Sequence, residues 1–398
     1  MTTDLITKLE CLVINDNKID EKIDNKIDNK IDNKIDEKKS KGQFYTTNAN
    51  YILDGFIIPT NASIIEPFAG QGDLIEWAIS HGSTYDKITA YDISPSKYDK
   101  VCIQSHDSIY DPPDYKNKFI LTNPPYLARN KAKDKTLYDK YKTNDLYKCF
   151  MISLSNEPEC AGGIIIIPAG FFLSPRKLDI HCRNRFMSTF KITKIRYFEE
   201  TVFNDTSITV IALMFDRVDQ TMRPLIQQSI EWTLLPKKEV KILTISKINN
   251  WIVHGDIYNI STNPNITVRR HVVGSTLRQN EYQTFMTLNA VDSGKKKGRI
   301  SLTYKYGYVY PAKECSRAYA TLRINIELTD DQQKQICIKF NEYIEQKRAE
   351  SWSLFLPQFR ESKEYARKRI PFELAYSIVN NLVTNLETNL ETNLETNL

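Results

Sequence analysis

Asn123, Pro124, Pro125 and Tyr126 follow the apolar run "FIL" and so stand where a strand would end. Two consecutive prolines fix φ and remove two backbone donors, which leaves the carbonyls here free to accept. The side-chain oxygen of Asn123 and the carbonyl of Pro124 can together take both hydrogens of an exocyclic amine, and Tyr126 offers a ring face to a planar base. Such a set grips an amino group on an aromatic heterocycle. The plainer reading is a rigid proline turn that only closes a strand.

A second set, "IIEPFAGQGDLIEW", puts Glu66 at a strand end, Gly70 and Gly72 in a turn, and Asp73 at a helix start. In an open α/β sheet, ligands bind at the carboxyl ends of the strands near the topological switch point. The spacing is shorter than the dinucleotide fingerprint and no Walker lysine follows, so a cationic small cofactor suits it better than a phosphate. Further on, Asp92 in "AYDIS" ends the next strand, placed to accept from ribose hydroxyls, and Asp107 in "SHDSIYD" is a third acid near another strand end. Taken singly, the glycines only make a tight turn and the acids only cap helices. Together and in this order they point to a cofactor with a ribose.

The elements that must position these residues are strands at 63–67, 87–93, 118–124, 163–169, 191–198 and 207–215, with helices over 72–82, 144–156 and about 174–189. Short apolar runs alternating with amphipathic segments predict a doubly wound, mostly parallel α/β domain over 42–216. From 217 to 380 the alternation is lost, which predicts a second, mixed α+β domain. Residues 18–38 repeat "IDNK" and residues 382–398 repeat "NLET". In the first repeat a four-residue period aligns isoleucines but also sets like charges at i,i+4, so 1–41 reads as disordered or a frayed helix and 381–398 as a low-complexity tail.

At 398 residues the chain has room for two domains, and 41% hydrophobic with 26% charged residues describes a globular protein. No apolar run approaches the roughly 18 residues of a membrane span, and the start lacks a secretory pattern, so no membrane partner and an intracellular, cytoplasmic location are expected. Seven scattered cysteines, none spaced C-x-x-C, argue against a disulfide framework and a structural zinc. No metal is expected. A net charge of +5 is too small to establish a polyanionic partner, so the distribution of charge has to carry that point.

"EPFAGQG", "YDIS" and "NPPY", in that order, resemble the motifs of S-adenosylmethionine-dependent amino-methyltransferases, in particular DNA adenine-N6 methyltransferases. Upstream, "GQFYTTNANYIL" is similar to that family's G-x-[FY]-[FY]-T-P segment, with Thr47 in place of the proline. The motif order matches the gamma class, as in type II restriction-modification systems and large DNA viruses, and the likeness covers about 42–216. It implies a Rossmann-like catalytic domain followed by a target-recognition domain. Thr46, Glu66, Phe68 and the Gly70–Gly72 turn would surround the methionine part of S-adenosylmethionine, Asp92 would hold the ribose, and Asp107 the adenine amine. Asn123, Pro124 and Pro125 would form the catalytic motif, with Tyr126 and Phe203 sandwiching an adenine flipped out of duplex DNA. No covalent intermediate is implied. A monomer is expected because the chemistry is on one adenine, with any cognate restriction endonuclease a separate protein, and a host cell as the setting if the chain is viral.

The second domain carries the charge. Residues 261–300 hold seven basic side chains, Arg269, Arg270, Arg278, Lys295, Lys296, Lys297 and Arg299, against two acids, Glu281 and Asp292. Arg269, Arg270, Lys295, Lys296, Lys297 and Arg299 are therefore the expected DNA-binding residues, a glycine-flanked "GKKKGR" loop among them. Tyr304, Tyr306, Tyr308 and Tyr310 would share one face of a strand if the alternation holds. Solvated charge and a packing face is the bland alternative. Two further readings stay open: an RNA or protein-glutamine amino-methyltransferase using the same motif, and a catalytically silent DNA-binding protein. A fused restriction enzyme would need a nuclease site, and the remaining length offers none.

Overall fold

A computed structural model describes residues 42, 44–157, 159–203, 206, 208–218, 226–292, 299–310, 312–362 and 365–395. The "IDNK" repeat and Lys295, Lys296 and Lys297 lie outside the described residues.

Among the described residues, nine strands form one mixed sheet in the order β3-β2-β1-β4-β5-β7-β6-β8-β9. They are β1 (Ile64–Glu66), β2 (Ile88–Asp92), β3 (Ile103–Ser105), β4 (Phe119–Thr122), β5 (Gly162–Pro168), β6 (Phe190–Phe198), β7 (Val210–Arg217), β8 (Gln227–Leu235) and β9 (Glu239–Ser246). The five strands from β3 to β5 run parallel, and β7 then enters antiparallel between β5 and β6. Every residue of β1 and β4 is buried, as expected of parallel strands covered on both faces. The parallel neighbours need long crossovers, and helices Asp73–Ser80, between β1 and β2, and Leu146–Leu154, between β4 and β5, supply them.

Strand order reverses between β1 and β4: β1 leads to β2 on one side, while β4 leads to β5 on the other. The carboxyl ends of β1, β2 and β4 thus share one edge at the switch point, and they carry Glu66, Asp92 and Thr122 followed by Asn123.

The sheet continues past residue 216 through β8 and β9 to Ser246. One apolar core spans Ala49 to Val253, with Leu354 added; a second runs from Ile257 to Leu386. The second core fills an antiparallel sheet of β10 (Val268–Arg270), β11 (Tyr282–Asn289), β13 (Ser301–Tyr304) and β14 (Tyr319–Ile324), backed by helices Asp330–Ser351 and Phe372–Glu395. Short β12 (Val291–Asp292) pairs with β16 (Tyr365–Arg369), which pairs with β15 (Gln358–Ser362). Thr329 opens the Asp330–Ser351 helix with a capping box to Gln332. The last helix runs through the "NLET" repeat to Glu395, where a tail from 381 was expected, and Val383 and Leu386 are buried in the second core. The tyrosine alternation does not make one strand: β13 stops at Tyr304, a turn with Gly307 at φ +71° follows, and Tyr306 is 73% exposed.

The two cores are tied together. Lys368, buried, reaches Glu199 Oε1 and the Trp352 carbonyl at 2.8 Å each, and Trp352 Nε1 donates to Glu239 at 2.7 Å. No helix of the described residues is long and apolar enough to cross a membrane.

Gly163 packs closely between its neighbours in the sheet, where a Cβ would lie 2.3 Å from the Ile120 carbonyl oxygen. Gly163→Ala is therefore expected to cost about 1–3 kcal/mol, the usual range for overpacking. A chemical denaturation midpoint equal to the parent's would refute that.

Candidate functional site

A cavity of about 360 Å³ opens at the switch-point edge. Of the residues expected there, Phe68, Gly70, Asp92, Asp107, Asn123 and Pro125 line it. The remaining wall is mostly apolar or aromatic, with Phe44, Ile93, Ile109 and Leu146 among its side chains, and Ser94, His106 and Ser108 add polar groups.

Gly70 adopts φ +55° and Gly72 φ +86°, the left-handed conformations glycine allows. At Gly70 a Cβ would collide with the Tyr45 ring at 2.8 Å, so the bare turn lets that ring lie against it. The Gly70 amide donates to Asp92 Oδ2 at 3.0 Å and the Ser94 amide to Oδ1 at 2.8 Å, which fixes the carboxylate at the end of β2. Asp107 Oδ1 accepts from the amides of Ile109 and Tyr110 at 3.1 and 3.0 Å.

Asn123 is held on both ends of its amide. Nδ2 donates to the Phe44 carbonyl at 2.7 Å and to Thr46 Oγ1 at 3.1 Å, and the Tyr126 hydroxyl stands 2.5 Å from Oδ1. A carbonyl accepts only, so the Phe44 bond decides which amide end is nitrogen. The same hydroxyl is 2.8 Å from the Ile166 carbonyl of β5. Burial pushes the Tyr126 phenol well above its ordinary value, and it stays a donor.

Six expected residues do not line the cavity. Thr46 is buried against Asn123, and Gly72 lines a neighbouring depression. Pro124 is buried, Tyr126 is 5% exposed with its ring 5.6 Å from that of Phe44, and Phe203 is 2% exposed in the first core. Glu66 lies beneath: Oε1 accepts from Thr122 Oγ1 at 2.5 Å and from the Phe68 amide at 3.0 Å, while Oε2 is buried with no partner. Burial, with Asp92 nearby, pushes its carboxyl up to about 8 against the pull of those two bonds. Sequence reasoning passed over Ile93 and His106, and it took in Phe44 and Tyr45 only as the aromatic positions of the 42–53 segment. Ile93 carried a signal, being an apolar residue directly after the Asp92 strand end, and it is 56% exposed.

The donor set suits a cationic nucleoside. Asp92 and Asp107 line the cavity, an orphaned carboxyl oxygen of Glu66 lies below it, and neither lysine nor arginine is among the lining residues. A phosphate would meet carboxylates with no counter-charge. Among the described residues no group of three or more His, Cys, Asp or Glu is placed to hold a metal ion.

The expected DNA-binding arginines are all engaged. Arg269 pairs with Glu281 through Nε and, at 2.5 Å, Nη2; Arg270 donates to the carbonyls of Glu314 and Ser316; Arg299 meets Glu345 at 3.0 Å.

No family model matches the chain, and no curated protein does. Among solved structures, the type I restriction-modification methyltransferase subunit from Streptococcus thermophilus is similar at 13% identity and TM-score 0.37, over 50% of this chain and 48% of that one. The type IIG restriction endonuclease BpuSI is similar at 13% identity and TM-score 0.38, over 63% of this chain and 37% of that one. The M protein of the type I enzyme EcoKI follows at 12% and 0.32, over 44% of each chain. The chain thus matches about half the length of such proteins or less.

Glu66 sets a pH dependence with a definite sign. A carboxyl raised from 4.5 to about 8 favours the fold while protonated, so its contribution is full below about pH 4.5 and is lost as pH rises to about 8. The loss is at most about 1.4 kcal/mol per pH unit. Glu66→Gln is expected to flatten this slope and to be more stable than the parent near pH 8. Parallel denaturation curves for parent and variant across that window would contradict it.

Proposed function

We propose that the chain is an S-adenosylmethionine-dependent DNA methyltransferase acting on N6 of an adenine flipped out of a short duplex recognition sequence, built on a doubly wound, Rossmann-like catalytic domain. The observation that carries this reading is the Asn123 amide, oriented by Phe44, Thr46 and Tyr126 at the rim of a cavity that also holds Asp92 and Asp107.

S-adenosylmethionine, when bound, supplies an electrophilic methyl on a sulfonium. Asp92 would hold the ribose hydroxyls and Asp107 the adenine amine, with Phe68, Ile93 and Ile109 giving apolar walls. Glu66, whose Oε2 has no partner, would give up its proton when the methionine part binds and then answer that part's positive charge, together with Thr46 and the Gly70–Gly72 turn. On the substrate side, an amide oxygen has two acceptor positions and Tyr126 occupies one, which leaves the other for the target amine. Asn123 Oδ1 and the Pro124 carbonyl would take the amine's two hydrogens and turn its lone pair out of conjugation with the ring. Fixed acceptors aimed at a nitrogen that becomes positive lower the barrier by orientation and electrostatics. Stacking of the base by Tyr126 and Phe203 belongs to the same proposal and needs those rings, covered here, to be uncovered by the substrate. A monomer and a separate partner endonuclease complete the reading.

The test is transfer of labelled methyl to unmodified duplex DNA, followed by sequencing for modified bases. N6-methyladenine in one short sequence is expected, and Asn123→Ala should lower the rate about 10²-fold or more while S-adenosylmethionine still binds. Methyl transfer to RNA or protein in place of DNA would overturn the substrate, and failure to bind S-adenosylmethionine would overturn the enzyme.

A further inference from the structure

The chain does not pass straight from Tyr126 into helix Leu146–Leu154. Residues 127–145 make an excursion whose two ends are stapled together. The Leu146 amide donates to the Leu127 carbonyl at 3.1 Å, the Arg129 amide donates to the Asn144 carbonyl at 2.9 Å, and Ala128 bridges antiparallel to Asp145. Within the excursion lies helix Thr136–Lys140, capped by Tyr141. Leu127 at its start, Leu137 in its helix and Leu146 just past its end all line the cavity at the strand ends.

Two tyrosines tie this helix to two different loops. The Tyr138 hydroxyl donates to the Leu127 carbonyl at 2.9 Å, one residue past Tyr126, and the Tyr141 hydroxyl donates to the Ile109 carbonyl at 2.9 Å. Ile109 belongs to the loop whose amides hold the Asp107 carboxylate, and Lys140 Nζ reaches the next carbonyl of that loop, Tyr110, at 2.9 Å. A five-residue helix is too short to be held by its own bonds, so these ties set its position. Tyr138 is 2% exposed and Tyr141 7%. Phenylalanine would serve packing at either position as well as tyrosine does; what the hydroxyls add is direction, one towards each loop. The bland alternative is that both hydroxyls only satisfy loop carbonyls.

We propose that Tyr138 and Tyr141 are positioning residues that make this helix a strut between the loop seating the cofactor's adenine and the loop carrying the amine acceptors. The proposal rests on the methyltransferase reading. A nucleoside seated against Ile109, Leu137 and Leu146 bears on the helix from the cavity side. Tyr141 keeps the Ile109 wall in register with the helix, and Tyr138 carries the constraint to Leu127 and so to the Asn123–Tyr126 loop. Tyr141 thus serves cofactor affinity and Tyr138 the alignment of the acceptors, and neither touches the reacting atoms. Because both act through one helix, a filled cofactor site favours the loop geometry that accepts the target. Linkage makes the effect mutual: the target raises cofactor affinity by the same factor.

The experiment uses the full chain with Tyr141→Phe and Tyr138→Phe, which keep the ring and remove only the hydroxyl. Calorimetry gives the Kd for S-adenosylmethionine, methyl transfer to duplex DNA gives KM and kcat, and fluorescence anisotropy gives duplex affinity with and without S-adenosylhomocysteine. Tyr141→Phe is expected to raise the cofactor's Kd and KM about two- to tenfold with kcat little changed, the range set by one lost hydrogen bond. Tyr138→Phe is expected to lower kcat by about the same two- to tenfold factor with the cofactor's Kd little changed. In both variants S-adenosylhomocysteine should tighten duplex binding less than it does in the parent. A lowered Tm without that split of KM against kcat means that the hydroxyls only hold the fold together, and it overturns the strut. Parallel changes of KM and kcat in both variants overturn it too. Either result leaves the reading of the site in place, because the parent still transfers methyl. A parent chain that binds no S-adenosylmethionine overturns the reading and the strut together.

Discussion

The orientation of one side-chain amide governs the rest. Asn123 is the first residue past β4, and the acceptor it presents depends on a segment far away in sequence: Phe44 supplies the carbonyl that identifies Nδ2, and Thr46 supplies the second acceptor. That segment is itself pinned, since the Tyr126 amide donates to the Gly42 carbonyl at 2.9 Å and Gly42, at φ +70°, lets the two backbones approach. The loop after β4 and the strap formed by Gly42 and residues 44–46 therefore hold each other. Neither proline of the loop could have shared in this through its own amide, which is why Asn123 and Tyr126 on either side carry the bonds.

Charge is divided in space in the way such a site requires. The strand-end cavity is acidic, while the interdomain cleft is rich in arginine. The cleft lies between Arg176 of the first domain and Arg269, Arg270, Arg317 and Arg369 of the second. Within the second domain much of the positive charge is structural. Arg323 is fully buried, bonded to His271 and to the carbonyls of Ser275 and Thr276, with Glu281 at 3.7 Å bridging it to Arg269. A census of basic residues along the chain overstates what is left for a partner.

That is also where the sequence was least legible. Parallel strands announced themselves through unbroken apolar runs, and the expected spans of β1, β2, β4, β5 and β6 lie within a few residues of those observed. Strand ends then gave the positions of Glu66, Asp92 and Asn123. Depth was not legible: nothing in the spacing distinguishes Asp92, which lines the cavity, from Glu66, which lies under it, because both are the last residues of neighbouring strands. The continuation of the sheet into β8 and β9 was hidden by polar residues such as Gln227, Ser229 and Thr244, which occupy the uncovered face of a half-buried antiparallel pair. Arg176 drew no notice because it is a single basic residue in a loop, and the other arginines of its cleft, from Arg269 onward, are far away in sequence.

The pinning of Gly42 has a genetic side. The tetrapeptide repeat at 18–38 is the kind of tract that gains and loses units when a template slips, and whole units keep the reading frame. The bond between the Gly42 carbonyl and the Tyr126 amide anchors the chain to the core downstream of that tract. Length variation upstream of the anchor would not be passed on to Phe44 and Thr46, so the site sits on the invariant side of a boundary between sequence that can drift in length and sequence that cannot.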